Sequence, residues 1–157
     1  MLKFIVDKFA EETKQDFISY YESSGLKASG NWGRELESQV TISDFSVNIK
    51  YLAPAYTEQL INGRNPNKKQ SKEDLKAWVG WAGSTFLKDW VNQKGLTINP
   101  FAIAWKIARE GWKVPNQYNK GDLVSSVLNI QKINNLADLI GRSIVDDVKL
   151  TIIGNGN

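Results

Sequence analysis

The sequence predicts an α+β domain in which a small antiparallel sheet packs with several helices. Three observations carry that class. Period-two alternation across residues 36–51 reads as a β-hairpin, and stretches of 3.6-residue periodicity lie on either side of it. The two kinds of pattern are segregated along the chain rather than interleaved. At 157 residues the chain fits a single domain, 1–157, long enough to bury a core.

Residues 3–23 form the first helix. Ile5, Val6, Phe9, Thr13, Phe17, Tyr20 and Tyr21 recur at helical spacing, Lys, Glu and Asp fill the other side, and Gly25 stops the run. "LKASGNWGRE" follows as a Gly-rich loop. In "LESQVTI" the residues Leu36, Val40 and Ile42 point to one face, and Phe45, Val47, Ile49 and Tyr51 do so in "FSVNIKY", with Ser43-Asp44 between them. Pro54 opens a short helix that runs through "AYTEQLIN" to Gly63. "GRNPNKKQ" then breaks all periodicity, so residues about 62–71 are expected to be a flexible basic loop. Ser71 with Asp74 is a helix-starting cap, and Leu75, Trp78, Val79, Ala82, Phe86, Leu87, Trp90 and Val91 trace a helical stripe to Gly95 that Gly80 and Gly83 can divide.

In "NPFAIAWKIAREGWKVP" (99–115) Asn99 suits the N-cap and Pro100 the first helical position. Phe101, Ala104, Trp105 and Ala108 form a stripe widened by Ile103 and Ile107. This places Trp105 in the core, with Lys106, Arg109 and Glu110 outside and Gly111 at the end. A polar connection leads to a long helix over 122–145, whose apolar set is Val124, Val127, Leu128, Leu136, Leu139 and Ile140. "VKLTII" alternates at Val148, Leu150 and Ile152, so residues 148–153 are expected to add a third strand to the hairpin. Residues 154–157 are expected to be a frayed tail.

Composition removes whole classes of chemistry. The chain is 41% hydrophobic and 24% charged, as globular domains are. It has no cysteine, so disulfides, thiolate nucleophiles and thiolate metal sites are excluded. It has no histidine, the commonest general base and metal ligand. Phosphate loops, dinucleotide fingerprints, nucleophile elbows and calcium loops are missing. Glu11-Glu12 and Asp146-Asp147 are neighbours on helix surfaces or at an element junction, and Ser23-Ser24 and Ser125-Ser126 have no base to activate them. The expectation is therefore a protein that is not an enzyme, with no catalytic residue, cofactor or metal. "MLKFIVDKFAEE" is too short and charged for a signal peptide and no apolar run spans a membrane, so a soluble, cytoplasm-made protein without membrane contact is expected.

The net charge of +3 conceals an asymmetry. Residues 62–120 hold 11 Lys and Arg against 4 Asp and Glu, while the remainder holds 9 against 13. Five of the six tryptophans fall in this basic middle. Such a bias suits a solvated face, or contact with something anionic. Arg64, Lys68, Lys69 and Lys72 form the best candidate contact surface, either for phosphates without sequence selection or for an acidic protein. Trp112 beside Lys113 can cover the end of a core or stack on a base. Zinc fingers, basic zippers and aromatic RNA-binding strands are absent.

The order of parts then becomes informative. A long N-terminal helix and a hairpin precede "YLAPAYTEQLINGRNP", which ends in Gly-Arg and a Pro-containing loop. "LKDWVNQKGL" is a helix with a central Trp and a Lys-Gly end, and "FAIAWKIAREGWKVP" is an Ala/Ile helix ending in Gly, with a basic residue and Pro after it. Together these resemble the neck or tail-completion proteins of tailed bacteriophages, which form a ring at the head–tail junction. The likeness covers residues 30–115, and by element order the whole chain. The resemblance implies a structural virion protein that works by self-association into a homo-oligomeric ring. It implies docking to portal (connector) and tail proteins around the DNA channel, and assembly in the host bacterial cytoplasm. Gly63, Arg64, Asn65 and Pro66 would then lie in a loop facing an adjacent subunit or the tail, with contact to DNA in the channel as a further role for the basic middle. The alternative is a non-specific nucleic-acid-binding accessory protein that uses the basic loop and Trp112.

Overall fold

The computed structural model describes residues 1–27, 30–44, 46–79 and 87–154, with side chains described through residue 146 except Trp78. It has the expected α+β class: among the described residues, eight helices and one two-stranded antiparallel sheet. In chain order these are α1 (Leu2–Ser23), α2 (Asn31–Glu35), β1 (Glu37–Ser43), β2 (Ser46–Leu52) and α3 (Thr57–Asn62). There follow α4 (Lys72–Val79), α5 (Leu87–Gln93), α6 (Pro100–Glu110), α7 (Leu123–Val127) and α8 (Ile130–Gly154).

Helix α1 buries Val6, Ala10, Thr13, Phe17 and Tyr21, a stripe at i, i+4, i+7, i+11 and i+15. It ends at Ser23, and Gly25 beyond it takes φ +80°, where a side chain would be strained. The hairpin lies across α1 with Val40 paired to Ile49 and Ser38 to Tyr51, so the alternating apolar positions share one half-buried face. Ser43 pairs with Ser46, which moves the turn one residue beyond the expected Ser43-Asp44; Phe45, assigned by its alternation to the second strand, lies outside the described residues. The Tyr51 ring meets Phe17 edge-on, with centroids 5.3 Å apart.

Two hydrophobic clusters share no residue. The first joins Phe17 and Tyr21 of α1, Trp32 of α2, Leu36, and Leu123 and Val127 of α7, with Leu60 and Ile61 of α3 against it. The second joins Leu75 and Val79 of α4, Leu87 of α5, and Ala104 and Ala108 of α6. Helix α8 packs along α1. The molecule thus has a body built on α1 and a smaller body built on α6.

Several local expectations hold. Ser71 and Asp74 form a reciprocal capping box: the Asp74 amide donates to Ser71 Oγ at 3.1 Å, and the Ser71 amide to Asp74 Oδ2 at 2.9 Å. The carboxylate of Asp74 is held below its usual range by the Ser71 amide and by the Ser71 hydroxyl, which donates to Oδ2 at 2.8 Å. Asn99 caps α6 through the Phe101 amide at 2.9 Å, with Pro100 in the first turn. Gly80 and Gly83 lie outside the described residues.

Four expectations are corrected. The stretch 148–153 is not a third strand but the last turns of α8, because a short apolar alternation suits either period and an established helix extends at one hydrogen bond per added residue. The helix expected over 122–145 is divided: α7 ends at Val127, and Asn129 restarts the chain by accepting the Lys132 amide at 2.9 Å. The Gly-rich loop after α1 contains α2, whose Trp32 is 2% exposed, stacks on Tyr21 at 4.6 Å and donates its indole N–H to Thr57 Oγ1 at 2.8 Å. Trp105 is 42% exposed rather than buried. Its ring lies beside Phe101 and under the Arg109 guanidinium, which stands 4.5 Å from the ring centroid.

Candidate interface

The residues singled out by sequence fall into two groups. Gly63, Arg64, Asn65 and Pro66 follow α3, Trp112 and Lys113 follow α6, and the fold brings these two stretches together. Arg64 and Trp112 form an isolated antiparallel bridge in which each amide donates to the other's carbonyl at 2.7 Å. Gly63 and Gly111 end their helices with φ +77° and flank this bridge. A Cβ at Gly111 would stand 2.5 Å from the Arg64 carbonyl oxygen, and one at Gly63 would fall inside the contact shell of the Trp112 carbonyl. Glycine is required at both places by backbone approach as well as by φ. One step further, the Asn67 amide donates to the Ala108 carbonyl at 2.8 Å, which ties the loop to the end of α6.

Lys68, Lys69 and Lys72 form the second group. They run from the end of this anchored stretch into the first turn of α4 and are exposed. The loop is therefore pinned over 63–67 and presents its lysines beyond the pin. Arg64 does not join them as a bare cation: it is half-buried and donates to Gln70 Oε1 at 3.3 Å. Trp112 is also half-buried, with its ring stacked on Tyr118 (6.4 Å, 19°). Tyr118 is the more open of the two at 54%. Sequence reading set Trp105 inside and Arg109 outside without pairing them and gave Tyr118 no role. A ring or cation four residues away marks the Trp105 stacks, whereas Tyr118, six residues from Trp112, carries no such local signal.

Charge is partitioned between the two bodies. Each of the five carboxylates of α1 has a lysine partner: Asp7 with Lys3, Glu11 with Lys14, Glu12 with Lys8, Asp16 with Lys132 and Glu22 with Lys27. In the basic middle the pair is Lys106 with Glu110, at 3.9 Å and exposed. Among the described residues Lys68, Lys69, Lys72, Lys76, Lys88 and Lys113 make no ion pair. Exposed pairs contribute little to stability, but their distribution shapes the field, which is left positive around α4–α6.

One lysine of the middle is different. Lys94, just past α5, reaches across to the connection after α1 and donates from Nζ to the carbonyls of Gly25 and, at 2.6 Å, of Lys27. Desolvation there lowers its pKa. Elsewhere, the Tyr20 hydroxyl donates to Asp122 Oδ1, which joins α1 to the start of α7. That bond raises the tyrosine pKa and lowers the carboxyl pKa. Beside it is a shallow open depression of about 470 Å³, lined in part by Asp16, Ser19, Ser126 and Lys132. Among the described residues no cluster of three or more Asp or Glu is arranged to hold a metal ion, and no helix is long and apolar enough to cross a membrane. Compared with known protein families, curated proteins and solved structures, the chain matches none.

Proposed function

We propose that the chain is a structural virion protein of a tailed phage. It is a subunit of the ring at the head–tail junction that docks portal (connector) and tail proteins around the DNA channel. One observation carries the reading. Two of the three peptides that carry the resemblance, those ending in "INGRNP" and "AREGWKVP", are 40 or more residues apart in sequence at these ends, yet they meet backbone to backbone at the Arg64–Trp112 bridge. Their glycines, basic residues and prolines thus belong to one hydrogen-bonded corner that exposes Asn65, Pro66 and Lys113. Such a corner is a shape to be docked against. Nothing in it provides a nucleophile with a base.

A reconstruction of the virion tests this directly. The chain should be found as a ring between portal and tail, with the 63–66 and 112–113 corner touching a neighbouring subunit or the tail. Its location in the capsid shell or the distal tail would reject the proposal.

The second reading, a non-specific nucleic-acid-binding accessory protein, is favoured by the unpaired lysines of the α4–α6 body. It predicts tight binding of arbitrary DNA by the isolated chain, with log affinity falling steeply as log salt rises. A ring subunit binds DNA weakly on its own and acquires its function with its partners. Reversing charge at Lys68 and Lys69 separates the two, since it should spoil assembly under the first reading and DNA retention under the second.

A further inference from the structure

Among the described residues, the two hydrophobic clusters share no residue and have few ties between them. The chain leaves the α1 body at Gly63 and returns to it after Gly111, and these two crossings are hydrogen-bonded to each other through Arg64 and Trp112. Both glycines already occupy the left-handed region, where only glycine moves without steric cost. Among the described residues, no helix of α4, α5 and α6 packs extensively on α1, α2, the hairpin, α7 or α8. Away from the crossings, the described polar tie between the bodies is the Lys94 ammonium seated on the carbonyls of Gly25 and Lys27.

From this arrangement we infer that α4–α6 is an arm, hinged at the Gly63–Gly111 neck and held against the α1 body by Lys94 as a latch. The latch is well suited to release. Its grip is two hydrogen bonds from one side chain to backbone, made at a cost in ammonium hydration that lowers the lysine's pKa. Among the described residues, a partner that pulls on the arm breaks that contact while each body keeps its own buried cluster. The lysines at 68, 69 and 72 ride on the arm, so opening would re-aim them relative to the hairpin and α8. The inference concerns the isolated chain and does not depend on the virion reading.

Because the chain contains no cysteine, Ser19→Cys on α1 and Ala102→Cys on α6, both exposed, can be spin-labelled alone. Pulsed electron resonance on the full chain should give one narrow distance distribution. Adding Lys94→Met, which keeps the aliphatic stem and deletes the cation, should add a second population at longer distance. Hydrogen exchange should meanwhile leave the buried amides of Ala10 and Phe17 in one body, and Ala104 and Ala108 in the other, as protected as before. An unchanged distance distribution would overturn the latch. So would lost protection in either body, because Lys94 would then be part of a folded core rather than a tie between two.

Discussion

Trp32 sits 2% exposed between Tyr21 and Thr57, whereas Trp105 lies on the outer surface of α6 at 42%. Truncating Trp32 to alanine removes a filled core position and a satisfied indole N–H, and should cost about 3–5 kcal/mol. Trp105→Ala removes a surface stack under Arg109 and should cost less than about 1 kcal/mol. Urea unfolding of both variants checks the contrast, and equal losses would contradict the burial described. Sequence reading put Trp105 in the core and left Trp32 in a Gly-rich loop, for identifiable reasons. Trp32 stands alone between glycines with no periodic neighbours to betray its burial. Trp105 shares a stripe with Ala104 and Ala108, but Ile103 and Ile107 flank those alanines on the far side, so the buried arc is centred away from it. The Tyr20–Asp122 bond, invisible in sequence because it spans 102 positions, makes a pH prediction. Asp122 titrates below its ordinary value, so its contribution is present above that value and is lost as pH falls through the lowered one. Tyr20 titrates above its ordinary value, so its contribution is lost as pH rises through the raised one. Tyr20→Phe should therefore lower the urea midpoint at neutral pH, and the deficit should shrink in strong acid and in strong alkali. A deficit independent of pH would mean that the hydroxyl acts by packing alone.

At the scale of elements, the starts of α4 and α6 were the most legible features, whereas the helix expected to open at Pro54 begins at Thr57. Ser71 and Asp74, and Asn99 with Pro100, are local devices whose partners lie within four residues, so the sequence shows the whole interaction. Ser71→Ala should destabilise by about 1 kcal/mol and speed hydrogen exchange in the first turn of α4 before any other helix. Unaltered exchange there would show that packing of Leu75 and Val79 suffices to hold the turn. Ends and breaks were less legible. The division at Asn129 carried a signal, an Asn three residues ahead of an amide it could accept, but the apolar spacing around it ran on without interruption. The C-terminal run "VKLTII" fits two periods equally; it continues α8, which packs on α1, while among the described residues the hairpin remains a sheet of two strands. The hairpin was legible because its alternation is repeated in both strands and the register that pairs Val40 with Ile49 is the one that aligns the two apolar sets.

For the molecule as a whole, the charge asymmetry could be counted directly from sequence, but its structural meaning could not. The lysine partners of the α1 carboxylates lie three to five residues away in four of the five pairs, which makes that neutralisation local, and the fold adds Lys132 for Asp16. In the middle Lys106 has Glu110, but among the described residues Lys68, Lys69, Lys72, Lys76, Lys88 and Lys113 find no such neighbour, so excess charge in the sequence becomes field at the surface. The α+β class was likewise legible, yet the partition of the core into two clusters was not, since it depends on which helices meet rather than on where they begin. The candidate contact residues divide in the same way. Lys68, Lys69 and Lys72 are as exposed as their loop suggested, whereas Arg64 and Trp112 serve each other first through their main chains.

That shared pair of main chains has a practical corollary. Residues paired in this manner have α-carbons about 5.5 Å apart, a gap that one or two glycines can span. The stretch 64–112 is thus a cassette spliced into a parent chain at a single seam, and excision with a Gly-Gly suture between Gly63 and Lys113 should leave the parent closed upon itself. The excised product would retain one tryptophan of the original six, Trp32. Its emission should remain blue-shifted and disappear in one cooperative denaturant transition, and solvent-like emission before any denaturant is added would show that the parent leans on its insert.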